Sequence, residues 1–246
     1  MSVETSNERS KPIMTCRRHL AIEIALLTLL ALFAGQSALA EANRWNSEQE
    51  VAYTQAIHDR AERIVGTLGI DDSAKAARVR DLIARQYRRL RKIHDARDAK
   101  IEEARKSPAA DRTLADAWIK VARDQANLKL VELHRHFVAR LSVELTPEQV
   151  EKVKDGMTYG VVQVTYRRYL QLLPDLGEEQ KREILANLLE AREHAMDAGS
   201  SEEKHAVFGK YKGRINNFLS AAGYDLKRAE QELAERHEAA SQPVNQ

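Results

Sequence analysis

The chain has 246 residues, with 39 basic against 37 acidic side chains, so no overall field favours a nucleic-acid partner. Its single cysteine, Cys16, lies upstream of a predicted cleavage point, and the mature chain is therefore expected to hold no thiol. That excludes disulfides, cysteine nucleophiles, iron–sulfur clusters and cysteine zinc sites.

The N-terminal forty residues read as a secretory signal. Arg17, Arg18 and His19 form a positive flank, Leu20 to Phe33 an apolar run with Glu23 inside it, and Ala38-Leu39-Ala40 a small-x-small cleavage site. At about fourteen residues the run is shorter than the roughly 20 needed to cross a bilayer. Cys16 precedes the run, so it is not the lipidated first residue of a lipoprotein. The expected organisation is a signal peptide over 1–40, a helical domain over 41–240 and a disordered tail over 241–246. The mature protein is expected to be periplasmic or secreted and free of the membrane.

Ala, Leu, Arg, Glu and Lys dominate the rest, and β-branched alternation occurs only around Val161-Val162-Gln163-Val164-Thr165, so the fold class is all-α. A first helix is predicted from Ser47, which forms a capping box with Glu50, to Leu68, with Gly69 as a left-handed stop. Asp71 or Asp72 caps a second, Ser73 to Lys106, roughly 50 Å long. Its inner face carries Val79, Leu82, Ile83, Gln86, Leu90, Ile93 and Ile101. Ser107-Pro108 breaks the chain before a third, about Asp111 to Glu144, with Leu114, Trp118, Val121, Gln125, Leu128, Leu133, Phe137 and Leu141 along its inner side. The pair suggests an elongated bundle built on a long antiparallel hairpin, followed by a group of shorter helices.

Thr146, Pro147 and Gln149 give a strong start signal for a fourth helix, closed by Pro174. The opening Leu145-Thr146-Pro147-Glu148-Gln149 is echoed weakly at Leu176-Gly177-Glu178-Glu179-Gln180. A fifth helix is expected from Glu178 to about Asp197, a sixth from Ser201 to Ala222 ended by Gly223, and a charged last one from about Asp225 to Ala240.

No Gly-x-Ser-x-Gly elbow, phosphate loop, His-Glu-x-x-His helix or dinucleotide fingerprint is present, so no cofactor is implied and an enzyme is the less favoured reading. His134 and His136 are two apart and point about 200° from each other on a helix, which rules them out as a helical metal pair. Glu190, His194 and Asp197 form a ligand or acid–base set, or ordinary surface salt bridges. Arg78, Arg85, Arg89 and Lys92 make a basic stripe on the second helix, either a wall for a polyanion or a cover for the core with local pairs such as Asp81 with Arg85.

Two glycine pairs fall inside predicted helices, Gly156-x-x-x-Gly160 and Gly209-x-x-x-Gly213, and each such glycine costs about 1 kcal/mol against alanine. They mark close helix packing or a kink, or a narrow seam for a polar ligand. On the sixth helix Gly209, Gly213, Asn216 and Ser220 share a face. Lys210, Arg214 and Asn217 form an adjacent line with Tyr211 beside it, and Tyr159, Tyr166 and Tyr169 face one side of the fourth helix. Tyrosine faces stack on pyranose rings, while amides and guanidiniums bond their hydroxyls. The candidate ligand-binding residues are thus Tyr159, Tyr166, Lys210, Tyr211, Arg214, Asn216 and Asn217.

The runs DGMTYGVVQVTYRRYL from Asp155 and EAREHAMDAGSSEEKHAVFGKYKGRINNFLSAAGYDL from Glu190, with IHDARDAKI from Ile93 and the LTPEQ cap, resemble a bacterial family catalogued as domain of unknown function 3826. The resemblance extends from about Ser47 to Arg236. It implies an export signal, an origin among polysaccharide-degrading bacteria and sugar binding, and it carries over no catalytic residue. The expected partner is a carbohydrate, neutral or anionic. Two other readings stand beside it: a helical periplasmic chaperone, from the LTPEQ cap and long hairpin, and a sugar-polymer hydrolase or lyase.

Overall fold

The computed structural model describes residues 48–106 and 112–241, in which there are eight helices and no strand. The expected signal segment, Ser47 cap and Ser107-Pro108 break, and the chain beyond residue 241, lie outside the described residues. Two compact units divide the chain, 1–56 and 57–246; residues 48–56 of the first are helical. Helix α1 covers 48–65, of which 57–65 belong to the second unit. That unit continues with α2 (Ser73–Lys106), α3 (Arg112–Glu144), α4 (Pro147–Met157), α5 (Val161–Leu172), α6 (Glu178–Met196), α7 (Ser201–Ala221) and α8 (Leu226–Ser241). None of the described helices is long and apolar enough to cross a membrane.

Caps written in the sequence set most of these limits. Gly69 and Gly223 take left-handed φ of 64° and 93°, which costs glycine nothing. Asp72 accepts from the amides of Ala74 and Lys75 at 2.8 and 3.1 Å and so opens α2. At α4 the capping box is complete: Gln149 N donates to Thr146 Oγ1 at 3.3 Å, and Thr146 N to Gln149 Oε1 at 3.1 Å. The free amide of Gln149 then donates to Leu68 O at 2.9 Å, tying this start to the end of α1. Ser200 caps α7 by accepting from Glu203 N at 3.0 Å.

Helices α2 and α3 form the long antiparallel pair, and two apolar clusters organise the rest of the unit. The first joins α1 to α4 through Ile64, Val79, Ile83, Leu90, Phe137, Leu141, Val153 and Met157. The second joins α5 to α8 through Val162, Ile184, Leu188, Phe208, Ile215, Leu219 and Leu233. Met196, near the end of α6, packs into the first cluster although most of α6 serves the second.

Two helical expectations need correction. The segment from Pro147 to Pro174 is not one helix, because the chain turns at Tyr159 and Gly160 between α4 and α5. The first half of α3 is also rotated relative to its predicted face. Ala122 and Ala126 are buried, whereas Leu114, Trp118, Val121 and Leu128 are exposed. Alanines let the paired helices come close, and the larger residues are left beside the contact and outside it.

Candidate functional site

The break between α4 and α5 is a strained turn. Tyr159 has φ of 60° and Gly160 of 64°, and Tyr159 is the one non-glycine residue with positive φ among those described. A left-handed conformation costs an L-residue with a side chain about 1–2 kcal/mol, so the surroundings must hold it. Locally, Asp155 O accepts from Thr158 N at 3.1 Å and from Gly160 N at 2.8 Å, and the buried Thr158 hydroxyl donates to Lys154 O at 2.9 Å.

The restraint from outside is Arg192 of α6, only 3% exposed. Its Nη1 donates to Asp155 Oδ1 at 2.7 Å, its Nη2 pairs with Glu151, and Glu193 Oε1 lies 3.3 Å away. Asp155 Oδ2 takes a further bond from Gln163 Nε2 of α5 at 2.9 Å, so one carboxylate bridges both sides of the turn. Lys154 Nζ completes the cluster at 3.0 Å from Glu151 and 3.1 Å from Glu193. A guanidinium suits this position because its planar fork addresses two carboxylates at once.

The clamped turn delivers the Tyr159 ring, 48% exposed, to a cleft of about 210 Å³. Arg60, Arg63, Ile64 and Thr67 of α1 and its exit, Tyr87 of α2 and Gly156 of α4 line it together with Tyr159. Arg60 and Arg63 are exposed and form no ion pair among the described residues. On its other side the Tyr159 ring stacks on His205, 6.2 Å between centroids and 23° between planes. Gly156 has a packing role here: a Cβ on it would stand 2.7 Å from Ile64 Cγ1, so this glycine lets α1 and α4 touch.

The remaining candidates lie on α5 and α7 and do not converge with Tyr159. Tyr211 is buried, donates to Glu190 Oε1 at 2.9 Å and carries the Arg214 guanidinium 4.6 Å above its ring. Arg214 also pairs with Glu190 at 3.2 Å, and His194 stacks on Tyr211 at 6.1 Å. Lys210 and Asn217 are exposed beside this shelf. Asn216 turns toward α5, where Tyr169 donates to its Oδ1 at 2.7 Å, and Tyr166 packs half-buried against the second apolar cluster. Nothing lies within 4 Å of where Cβ atoms on Gly209 and Gly213 would stand, so that strip is open surface.

Beyond the Arg192 clamp the charged cluster continues to α3. His134 sits between two carboxylates, Nε2 at 3.3 Å from Glu193 and Nδ1 at 2.9 Å from Asp197. Hydrogen bonds to Asp197 and Glu193 outweigh burial and raise His134 to about 9. Burial pushes the Glu193 carboxyl up, yet bonds from His134 and Lys154 outweigh it and hold the group at about 2. Such a carboxylate is a poor general acid at neutral pH. Lys204, buried against Ala195 O at 2.8 Å, is lowered to about 8 by desolvation.

These shifts have opposite consequences for stability. His134 titrates near 6.5 when unfolded, so its contribution is complete below that pH and is lost as pH rises through about 9. The contribution of Glu193 is complete above 4.5 and is lost as pH falls through about 2. Lys204 adds stability as pH rises from about 8 toward 10.5, because the folded state sheds its proton first. Subtracting the urea-unfolding profile of His134→Asn from that of the wild type cancels the Lys204 term. The difference is expected to hold level up to about pH 6.5 and then shrink toward pH 9; a difference level from pH 6 to 9 contradicts this assignment.

The sets singled out in the sequence part company. Glu190 serves Tyr211 and Arg214 while Asp197 serves His134, so Glu190, His194 and Asp197 are no common site. His136 pairs with Glu132 at 3.7 Å, while His134 meets Glu193 and Asp197, so the two do not share a site. Among the described residues no group of three or more His, Cys, Asp or Glu could hold a metal ion. In the basic stripe Arg78 pairs with Glu144 at 3.0 Å, Arg85 and Arg89 line a shallow groove with His136 and Arg140, and Asp81 meets Arg80 at 3.4 Å in place of Arg85.

Sequence reasoning missed the Arg192 clamp and the cationic lining of the cleft. The clamp unites residues 37 and 41 apart in sequence, a separation that carries no local signal. Arg60 and Arg63 carry no sequence pattern that sets them apart from an ordinary exposed helix face. The one usable sign was Gly160, whose position in an otherwise helical run also reads as a stop.

The family described as "Protein of unknown function (DUF3826)" matches residues 54–239. No curated protein matches the chain.

Proposed function

The chain belongs to the DUF3826 family, and from that premise we propose that it is an exported carbohydrate-binding protein whose site is the cleft built on Tyr159. One observation carries the reading: a half-exposed aromatic ring is held at a strained backbone angle over a concave surface that also presents a second tyrosine and two arginines. Strain kept at an exposed aromatic residue has a functional rationale that packing does not supply. A tyrosine face offers a pyranose ring its apolar C–H surface, and guanidiniums and hydroxyls around it bond the sugar's oxygens. The secretory-signal reading of the first forty residues supports a periplasmic or extracellular setting for this activity.

A glycan array probed with wild type, Tyr159→Ala and Tyr211→Ala tests the reading. Wild type and Tyr211→Ala are expected to bind the same glycans, and Tyr159→Ala to lose them. Loss in Tyr211→Ala alone moves the site to the α6–α7 shelf, and a blank array for the wild type removes the carbohydrate reading.

A second reading, capture of unfolded chains, draws on α3. Trp118 and Leu128 are 59% and 73% exposed, and Trp118, Val121, Ala122 and Gln125 line a groove with Lys100, Glu103 and Ala104 of α2. Exposed apolar patches of this kind mark interaction surfaces. Suppression of aggregation of a reduced, unfolding client by wild type, and its loss in Trp118→Ala, would favour this reading over the first.

A further inference from the structure

We infer that the Tyr159 cleft selects an acidic sugar, taking the oxyanion on the ring through Arg60 and Arg63; this rests on the carbohydrate reading of the same cleft and narrows its ligand. The two guanidiniums stand one turn apart on α1, on the wall of the cavity that Tyr159 and Tyr87 share. Residues at i and i+3 lie about 5–6 Å apart at Cβ, so both side chains reach one anion.

Their surroundings leave them available. Glu62, between them in sequence, turns to Arg80 at 3.5 Å, and Asp155 and Glu151 beneath the Tyr159 turn are engaged by Arg192. Lys152 Nζ reaches Thr67 O at the cleft margin, 3.5 Å away, which adds a third cation. Behind the wall the buried Lys204 ammonium is close enough to repel Arg60. Two exposed arginines near further cations outnumber the neighbouring Asp59 carboxylate of α1 and form a positive field that an incoming anion relieves. The planar fork matches a carboxylate or sulfate in bidentate fashion, while the tyrosine rings flank the pyranose that bears it. A free inorganic anion would use the arginines and ignore the tyrosines, which is why the ligand is placed as a charged sugar.

Calorimetric titration of the protein with a panel of uronate-bearing oligosaccharides, their methyl esters, sulfated and neutral oligosaccharides and inorganic sulfate separates the possibilities. Acid forms are expected to bind roughly ten- to a hundredfold more tightly than their esters, the order of a charge-assisted contact. In Arg60→Ala/Arg63→Ala that gap closes while residual ester binding persists, and in Arg85→Ala/Arg140→Ala, which alters the other cationic groove, the gap remains. The uronate and sulfate arms tell which oxyanion the fork prefers. Equal binding of acid and ester overturns the inference and leaves the carbohydrate reading standing. Closure of the gap by Arg85→Ala/Arg140→Ala alone overturns the assignment to this cleft. Binding of inorganic sulfate without any sugar, or of nothing in the panel, removes both.

Discussion

Arg192→Met is expected to destabilise the protein by about 3–5 kcal/mol, a large share of the roughly 5–15 kcal/mol typical of a folded domain. The methionine nearly fills the volume, so the loss comes from charge and not from a cavity. Without the guanidinium, the half-exposed Glu151 and the largely buried Asp155 lose the cation that links them and keep Lys154 and Gln163 as partners. Both carboxylates keep some access to water, which puts the effect toward the lower end of that range. Adding Glu151→Gln and Asp155→Asn to Arg192→Met should recover much of the loss, since removing every member of a buried ionic group is far less costly than orphaning one side. Urea unfolding of the single and triple variants checks this. A single variant within 1 kcal/mol of wild type contradicts the clamp.

Tyr159 gives the second large effect, because its two roles separate cleanly. In an ordinary helix alanine is about 1 kcal/mol more stable than glycine. At φ of 60° the order inverts, and Tyr159→Gly is expected to exceed Tyr159→Ala by about 1 kcal/mol. Both variants remove the ring from the cleft, so both should weaken glycan binding by roughly thirtyfold, the loss expected of a central aromatic anchor worth about 2 kcal/mol. Tyr159→Phe keeps stacking and strain and should stay near wild type in both measurements. If alanine proves more stable than glycine, the turn is not strained. If glycine is the more stable and binding survives, the strain serves something other than this cleft.

Much of the architecture was legible because it is encoded locally. The Thr146–Pro147–Gln149 cap, the left-handed Gly69, the Asp72 cap and the period-of-3.6 face of α2 each act within a few residues and are found where the sequence placed them, although α1 ends at residue 65 and not at Leu68. Ser241 extends α8 by one residue past the point where the tail was expected to begin. The α3 face departs from the expected one because fit outranks side-chain size in a close helix pair. Ala122 and Ala126 carry little hydrophobic weight in a sequence, yet only small residues suit a close helix pair.

The site was only partly legible for a related reason. Tyr159 stands out through its glycine neighbours, but a continuous helix would align it with Tyr166 and Tyr169 on a face that the turn abolishes. Tyr211 and Arg214 meet on the α7 side, with Glu190 supplying the polar partner that spacing could not reveal. Asn216 faces α5 because one residue advances a helix by about 100°, enough to move it from the shelf to the Tyr169 contact. Arg60, Arg63 and Tyr87 meet Tyr159 only through the packing of α1, α2 and α4, which no local pattern encodes.

The most direct measurement is ring-resolved NMR of the protein with labelled tyrosines, titrated with the glycan identified on the array. Resonances of Tyr159 and Tyr87 are expected to shift together and to saturate with one affinity, while those of Tyr169 and Tyr211 stay in place. Movement of Tyr211 with Tyr159 unmoved would contradict the cleft as the binding site.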